Sequence, residues 1–222
     1  MAPVTVIFDL DGTLADTSGD LLAAANACFR DIGAGDLLGP PDAGTALNGG
    51  RAMLRLGLGR IGRAGDEVEV DRLYPHLLGY YGEAIDTHTV IYPGAMEAVA
   101  LLVEHGHGVG ICTNKPEALA QLLLTRLGVR DAFASLVGAD TLAVRKPDPE
   151  PLREAVRRAG GDPLRCCLIG DSRTDRETAR AAGVPSVLVG FGPAGGDMAA
   201  LEPEAIIGHF DELPGVVARL FA

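Results

Sequence analysis

Val4-Thr5-Val6-Ile7-Phe8-Asp9-Leu10-Asp11-Gly12-Thr13-Leu14 sets a short apolar run directly against an acidic turn. Residues 4–8 are apolar or β-branched and predict a buried strand, which opens abruptly into the loop begun by Asp9. The same grammar returns along the chain. Residues 108–112 run into Thr113-Asn114-Lys115-Pro116, residues 136–137 form a shorter run, residues 166–169 lead into Gly170-Asp171-Ser172, and residues 186–189 end at Gly190. Between these strand-like runs, residues 95–105, 117–127, 150–159, 175–182 and 212–220 carry apolar side chains at three- and four-residue spacings and predict helices. Pro93, Pro116 and Pro149 suit first-turn positions, Asp148 suits an N-cap, and Gly106, Gly128, Gly160 and Gly183 suit C-caps. Alternation of strand and helix predicts an α/β fold, a parallel sheet core with helices on both faces.

The grammar changes between Asp16 and about Asp86. Residues 21–32 and 74–84 are helical in pattern, residues 33–65 are Gly-rich with weak periodicity, and no buried-strand run intervenes. This predicts an inserted helical unit at 16–86, carried by a core formed from 1–15 and 87–222.

The chain has 222 residues, enough for a core plus a small insert, and a net charge of −11. An acidic surface repels nucleic acid and anionic membranes, so a small anionic substrate would need a local positive site. No basic leader precedes the first apolar run, and no segment is long and apolar enough to span a bilayer. Cys28, Cys112, Cys166 and Cys167 lie in apolar stretches without metal-type spacing, which predicts buried reduced thiols in a cytoplasmic protein.

In an open parallel sheet the ligand site lies beyond the carboxyl ends of the strands. Asp9 and Asp11 follow the first strand, Thr113 and Asn114 the second; Lys146 precedes a helix after the third, and Asp171 and Asp175 follow the fourth. Such a set suits a carboxylate nucleophile attacking a phosphomonoester, a dianion that needs cations around it. Hard oxygen donors favour magnesium, with Asp9 and Asp171 as the carboxylate ligands. Asp9 would attack. Asp11 would protonate the leaving alcohol and then activate water, while Lys146 would neutralise charge. Thr113 and Asn114, ahead of a helix, would donate to the phosphate, and Asp175 would cap its helix or orient Lys146. Gly12-Thr13 permits a tight turn.

Phe8-Asp9-Leu10-Asp11-Gly12-Thr13-Leu14, Cys112-Thr113-Asn114-Lys115-Pro116, Lys146-Pro147-Asp148-Pro149 and Gly170-Asp171-Ser172-Arg173-Thr174-Asp175 stand in the order of four known motifs. On these the chain resembles the haloacid-dehalogenase-like hydrolase superfamily. Tyr92-Pro93-Gly94 and Val137-Gly138-Ala139-Asp140-Thr141-Leu142 extend the resemblance to its phosphoglycolate phosphatase group. That resemblance implies a Rossmann-like core with a small helical cap, a metal contact from the backbone carbonyl of Asp11, and hydrolysis of 2-phosphoglycolate through an aspartyl-phosphate. The cap segment Leu47-Asn48-Gly49-Gly50-Arg51 only loosely resembles the group's Gly-rich loop. The stretch Gly190-Phe191-Gly192-Pro193-Ala194-Gly195-Gly196 replaces a more tyrosine-rich ending. Arg51 is the candidate partner for a substrate carboxylate, with Arg55 and Arg173 behind it.

Rival readings are a phosphosugar mutase, a phosphatase of another small metabolite, and a phosphoreceiver-like signalling module. Thr13, where the mutases compared usually carry valine, favours a phosphatase over a mutase. A receiver would be much shorter and without an insert.

Overall fold

The computed structural model describes residues 3–192 and 197–222, so the end of the 190–196 stretch lies outside the described residues. In chain order the elements are β1 (Thr5–Phe8), β2 (Ala15–Asp16), α1 (Ser18–Asp31), α2 (Ala43–Ala46), α3 (Gly50–Arg60), α4 (Glu67–Glu83), β3 (Val90–Ile91), α5 (Ala95–Glu104), β4 (Gly108–Cys112), α6 (Glu117–Arg126), β5 (Ser135–Val137), α7 (Glu150–Arg158), β6 (Cys166–Gly170), α8 (Arg173–Ala182), β7 (Ser186–Val189), β8 (Ala205–Ile207) and α9 (Leu213–Leu220). Contacts divide the chain into two compact units, Met1–Ala15 with Ile91–Ala222, and Asp16–Val90.

The first unit is built on a six-stranded sheet in the order β5-β4-β1-β6-β7-β8, with every neighbouring pair parallel. β1 sits in the middle, so Phe8 aligns with Ile111 on β4 and with Ile169 on β6. All four of its residues are buried, as expected of a central strand in a doubly covered sheet. Ile7, Cys112, Val137 and Leu168 form one apolar layer with Leu152, Ala155 and Val156 of α7 and Ala179 of α8. α5 packs against β4 and against α9. This is the α/β, Rossmann-like architecture expected from the sequence. β8, the strand that closes one edge, escapes the sequence pattern because Ala205-Ile206-Ile207 is short, with Ile206 exposed.

The second unit is helical. Leu22, Ala25 and Phe29 of α1, Met53, Leu54 and Leu58 of α3, and Val70, Leu73 and Leu77 of α4 are all buried. Gly57 lets α3 meet α1 closely: a Cβ there would lie 2.1 Å from Cζ of Phe29. Asn26 anchors the weakly patterned stretch that follows α1. Its Oδ1 accepts the N–H groups of Leu37 and Leu38, each at 3.0 Å, and its Nδ2 donates to the Leu38 carbonyl at 2.8 Å. Asp20, buried in the first turn of α1, ties the start of the unit to its end by accepting from the backbone of His88 and Thr89 and from the Thr89 hydroxyl.

α4 begins at Glu67, earlier than the sequence pattern over 74–84 indicates. Glu67-Val68-Glu69-Val70 alternates as a strand would, and Pro75 reads as a helix start. In the structure Asp66 caps the helix by accepting the Glu69 N–H at 3.0 Å, and Pro75 lies inside it. Among the described residues no helix is long and apolar enough to cross a membrane. All four cysteines are free and buried.

Candidate active site

The loop after β1 is shaped by its backbone. The Asp9 N–H continues the ladder to the Ile169 carbonyl at 2.8 Å, and the N–H groups of Thr13, Leu14 and Ala15 then converge on the Leu10 carbonyl. Gly12, at φ 80°, takes the left-handed turn that closes this loop. The result exposes Asp9 and Asp11 at the carboxyl edge of β1, with side chains 13% and 18% exposed.

Lys146 reaches the same edge from the segment before α7. Its Nζ lies 3.0 Å from Oδ2 of Asp9 and 2.6 Å from Oδ1 of Asp175. The other oxygen of Asp175 accepts from the Ser172 hydroxyl at 2.5 Å and from the N–H groups of Ser172 and Asp171. Ser172 and Asp175 thereby make a reciprocal cap at the start of α8. Asp175 therefore both caps its helix and holds the lysine. The fit is tight: a Cβ on Gly170 would lie 2.3 Å from Cβ of Asp175.

Asp171 enters from the end of β6, and its Oδ1 accepts the Thr13 hydroxyl at 2.8 Å. Asp9, Asp171 and Asp175 each bring a carboxylate oxygen within 4.8 Å of the others. Octahedral coordination at about 2.1 Å spaces donor oxygens by about 3 to 4 Å, a spacing that suits the Asp9 and Asp171 carboxylates, while both oxygens of Asp175 are engaged by Lys146 and Ser172. The donor set therefore fits a metal of that class.

Electrostatics mark the same place. Burial raises Asp9 from 3.8 to about 6 against the pull of Lys146, with Asp175 and Asp11 pushing the same way as burial. Asp171 is raised well above the usual carboxylate range by burial, with Asp175 and Asp9 adding to it. Burial opposes the charge on Lys146, yet Asp175 and Asp9 outweigh it and hold the ammonium above its ordinary value. Carboxylates held this far from their ordinary range in one cluster mark a candidate functional site. The nearby Cys112 thiol is pushed up to about 12, chiefly by burial, and is inert as a nucleophile at neutral pH.

Thr113 and Asn114 follow β4 as the sequence indicates. The Thr113 N–H pairs with the Val137 carbonyl at 3.0 Å, and its Oγ1 accepts the Lys115 N–H at 3.2 Å. The Asn114 side-chain amide donates to the Lys146 carbonyl at 3.0 Å, fastening one loop to the other. Arg51 belongs to the helical unit, where its guanidinium pairs with Asp71 at 2.5 Å and lies 4.5 Å from the Tyr74 ring centroid.

Two participants carried no such role in the sequence reading. Thr13, expected from the sequence to permit the turn and to set the chain apart from the mutases, orients Asp171. Lys115, quoted there only as part of a motif, is paired with Oδ1 of Asp11 at 2.8 Å while its side chain is 4% exposed. The signal for Lys115 was its position directly after Thr113-Asn114, at the strand end where the other polar residues gather.

Residues 4–183 match the model of the haloacid dehalogenase-like hydrolase family. A phosphoglycolate phosphatase of Mesorhizobium japonicum is 42% identical over 96% of this chain and 94% of its own length. Another, of Rhodospirillum rubrum, is 39% identical over 95% of this chain and 89% of its own. The solved structure of a predicted phosphoglycolate phosphatase from Haemophilus somnus 129pt superposes with a TM-score of 0.86, at 24% identity, over 97% of this chain and 98% of that one. The chain belongs to the haloacid dehalogenase-like hydrolase family.

Proposed function

We propose that this protein is a magnesium-dependent phosphatase that hydrolyses 2-phosphoglycolate through an aspartyl-phosphate on Asp9. The single observation that carries the reading is Lys146 Nζ held between Asp9 and Asp175, 3.0 and 2.6 Å away, beside the Asp171 carboxylate. The relatives at 42% and 39% identity, both phosphoglycolate phosphatases, support the choice of ester. Asp9 and Asp171, with the Asp11 backbone carbonyl, would hold the magnesium ion. When bound, the ion supplies positive charge to the phosphoryl oxygens.

Asp9 Oδ attacks phosphorus as the bond to the ester oxygen breaks, and Asp11 gives its proton to the departing alkoxide. Asp11 then takes a proton from water as that water attacks the aspartyl-phosphate, which releases phosphate, restores the Asp9 carboxylate and returns Asp11 to its protonated form. Lys146 offsets charge on Asp9 and on the phosphoryl group throughout, held in line by Asp175. The Thr113 hydroxyl and the Asn114 backbone N–H serve the phosphoryl oxygens, since the Asn114 side chain is engaged with Lys146. The helical unit Asp16–Val90 acts as the cap. Buried free thiols suit the reducing cytoplasm.

The test is phosphate release in magnesium buffer from 2-phosphoglycolate, sugar phosphates, nucleoside monophosphates and an aryl phosphate. Strong preference for 2-phosphoglycolate is expected. A flat profile would discard the substrate while keeping the chemistry.

A further inference from the structure

Lys115 is a buried cation that the reaction does not require. Lys146 already supplies positive charge beside Asp9. Lys115 instead stands with its Nζ 2.8 Å from Oδ1 of Asp11, on a side chain only 4% exposed. Desolvating an ammonium and fixing a long side chain both oppose folding, so this placement differs from an ordinary surface pair. Its backbone is fixed as well: the Lys115 N–H donates to Thr113 Oγ1 at 3.2 Å, its carbonyl accepts the Ala139 N–H at 2.9 Å, and Pro116 follows. The ammonium is delivered by the sheet unit alone.

Asp11 is the group assigned to the leaving oxygen, so whatever that oxygen carries is brought beside Asp11 and hence beside Lys115. In glycolate a carboxylate sits one methylene away from that oxygen. A carboxylate placed there would face Asp11, a like charge once Asp11 has given up its proton, unless a cation lay between them. We propose that Lys115 binds the carboxylate of the leaving group, its ammonium turning from Asp11 Oδ1 to the substrate, and so makes the core itself selective for an anionic leaving group. This rests on the phosphoglycolate reading above.

The test compares kcat/KM for 2-phosphoglycolate and for 2-hydroxyethyl phosphate, which has the same chain length but a neutral hydroxymethyl group in place of the carboxylate. The proteins are the wild type, Lys115→Met and Lys115→Gln, with magnesium present and with melting temperatures recorded. In both variants the value for 2-phosphoglycolate should fall about 10- to 100-fold further than that for 2-hydroxyethyl phosphate, the span of a charge-assisted hydrogen bond. An equal fall for the two esters would make Lys115 a positioning residue for Asp11 and overturn the proposal. So would a folded variant that keeps the wild-type preference. These outcomes are distinct from a wild type that shows no preference between the two esters, which removes the phosphoglycolate reading itself and this inference with it.

Discussion

The Nζ of Lys146 lies closer to Asp175, at 2.6 Å, than to Asp9, at 3.0 Å, although Asp9 is the residue placed to react. Asp175 is fully buried and its other oxygen is engaged by Ser172 and the Asp171 N–H, so it cannot follow the lysine elsewhere. The ammonium is therefore anchored on one carboxylate and offered to the other.

Lys146→Met removes the ammonium that pairs with Asp175 Oδ1 and leaves a buried charge uncompensated, which should cost about 3–5 kcal/mol of stability. Adding Asp175→Asn should restore much of the melting temperature without restoring turnover. Recovery of activity in the double variant would show that the lysine serves the fold and not the reaction.

Asp9→Asn and Asp11→Asn should each lower turnover by several orders of magnitude while the far-ultraviolet circular dichroism stays close to wild type. Substantial phosphate release by Asp9→Asn would refute the covalent route.

Magnesium should stabilise the protein more at pH 7.5 than at pH 5. Burial raises Asp9 from 3.8 to about 6, so its protonated form favours folding. That contribution is fully present below the unfolded value and is lost as pH rises through about 6. A divalent cation takes the proton's place and competes with it below pH 6. Melting temperatures with and without magnesium at the two pH values measure this; an increment that does not change with pH would contradict it.

Gly57→Ala places a methyl group where the Phe29 ring stands, 2.1 Å from Cζ, and forces α3 and α1 apart. A loss of about 1–3 kcal/mol in unfolding free energy is expected, enough to shift the melting temperature by several degrees. An unchanged melting temperature would mean that the Phe29 ring turns aside freely.

How much of this was legible depends on how each element is held. β1, β4 and β6 are buried apolar runs that stop at polar turns, so their local pattern and their tertiary role coincide, and the polar residues at their ends could be named. β8 is three residues long with its middle side chain exposed, and it becomes a strand only because β7 offers it an edge. α3 contains Gly50, Gly57 and Gly59, poor helix formers in isolation, and it is held by burial of Met53, Leu54 and Leu58. The partner of Lys115 was invisible for a different reason. A lysine's position in sequence says nothing of its partner, and the pairing with Asp11 arises only when the ends of β1 and β4 lie side by side.

Asp20 binds the backbone of His88 and Thr89, so everything between them departs and returns through a single narrow neck. Whatever hangs from such a neck can be lengthened, exchanged or discarded over generations without shifting the register of a single strand in the sheet. Descendants of this chain could thus change their diet by trading the insert, while the reacting carboxylate at the end of β1 is inherited untouched.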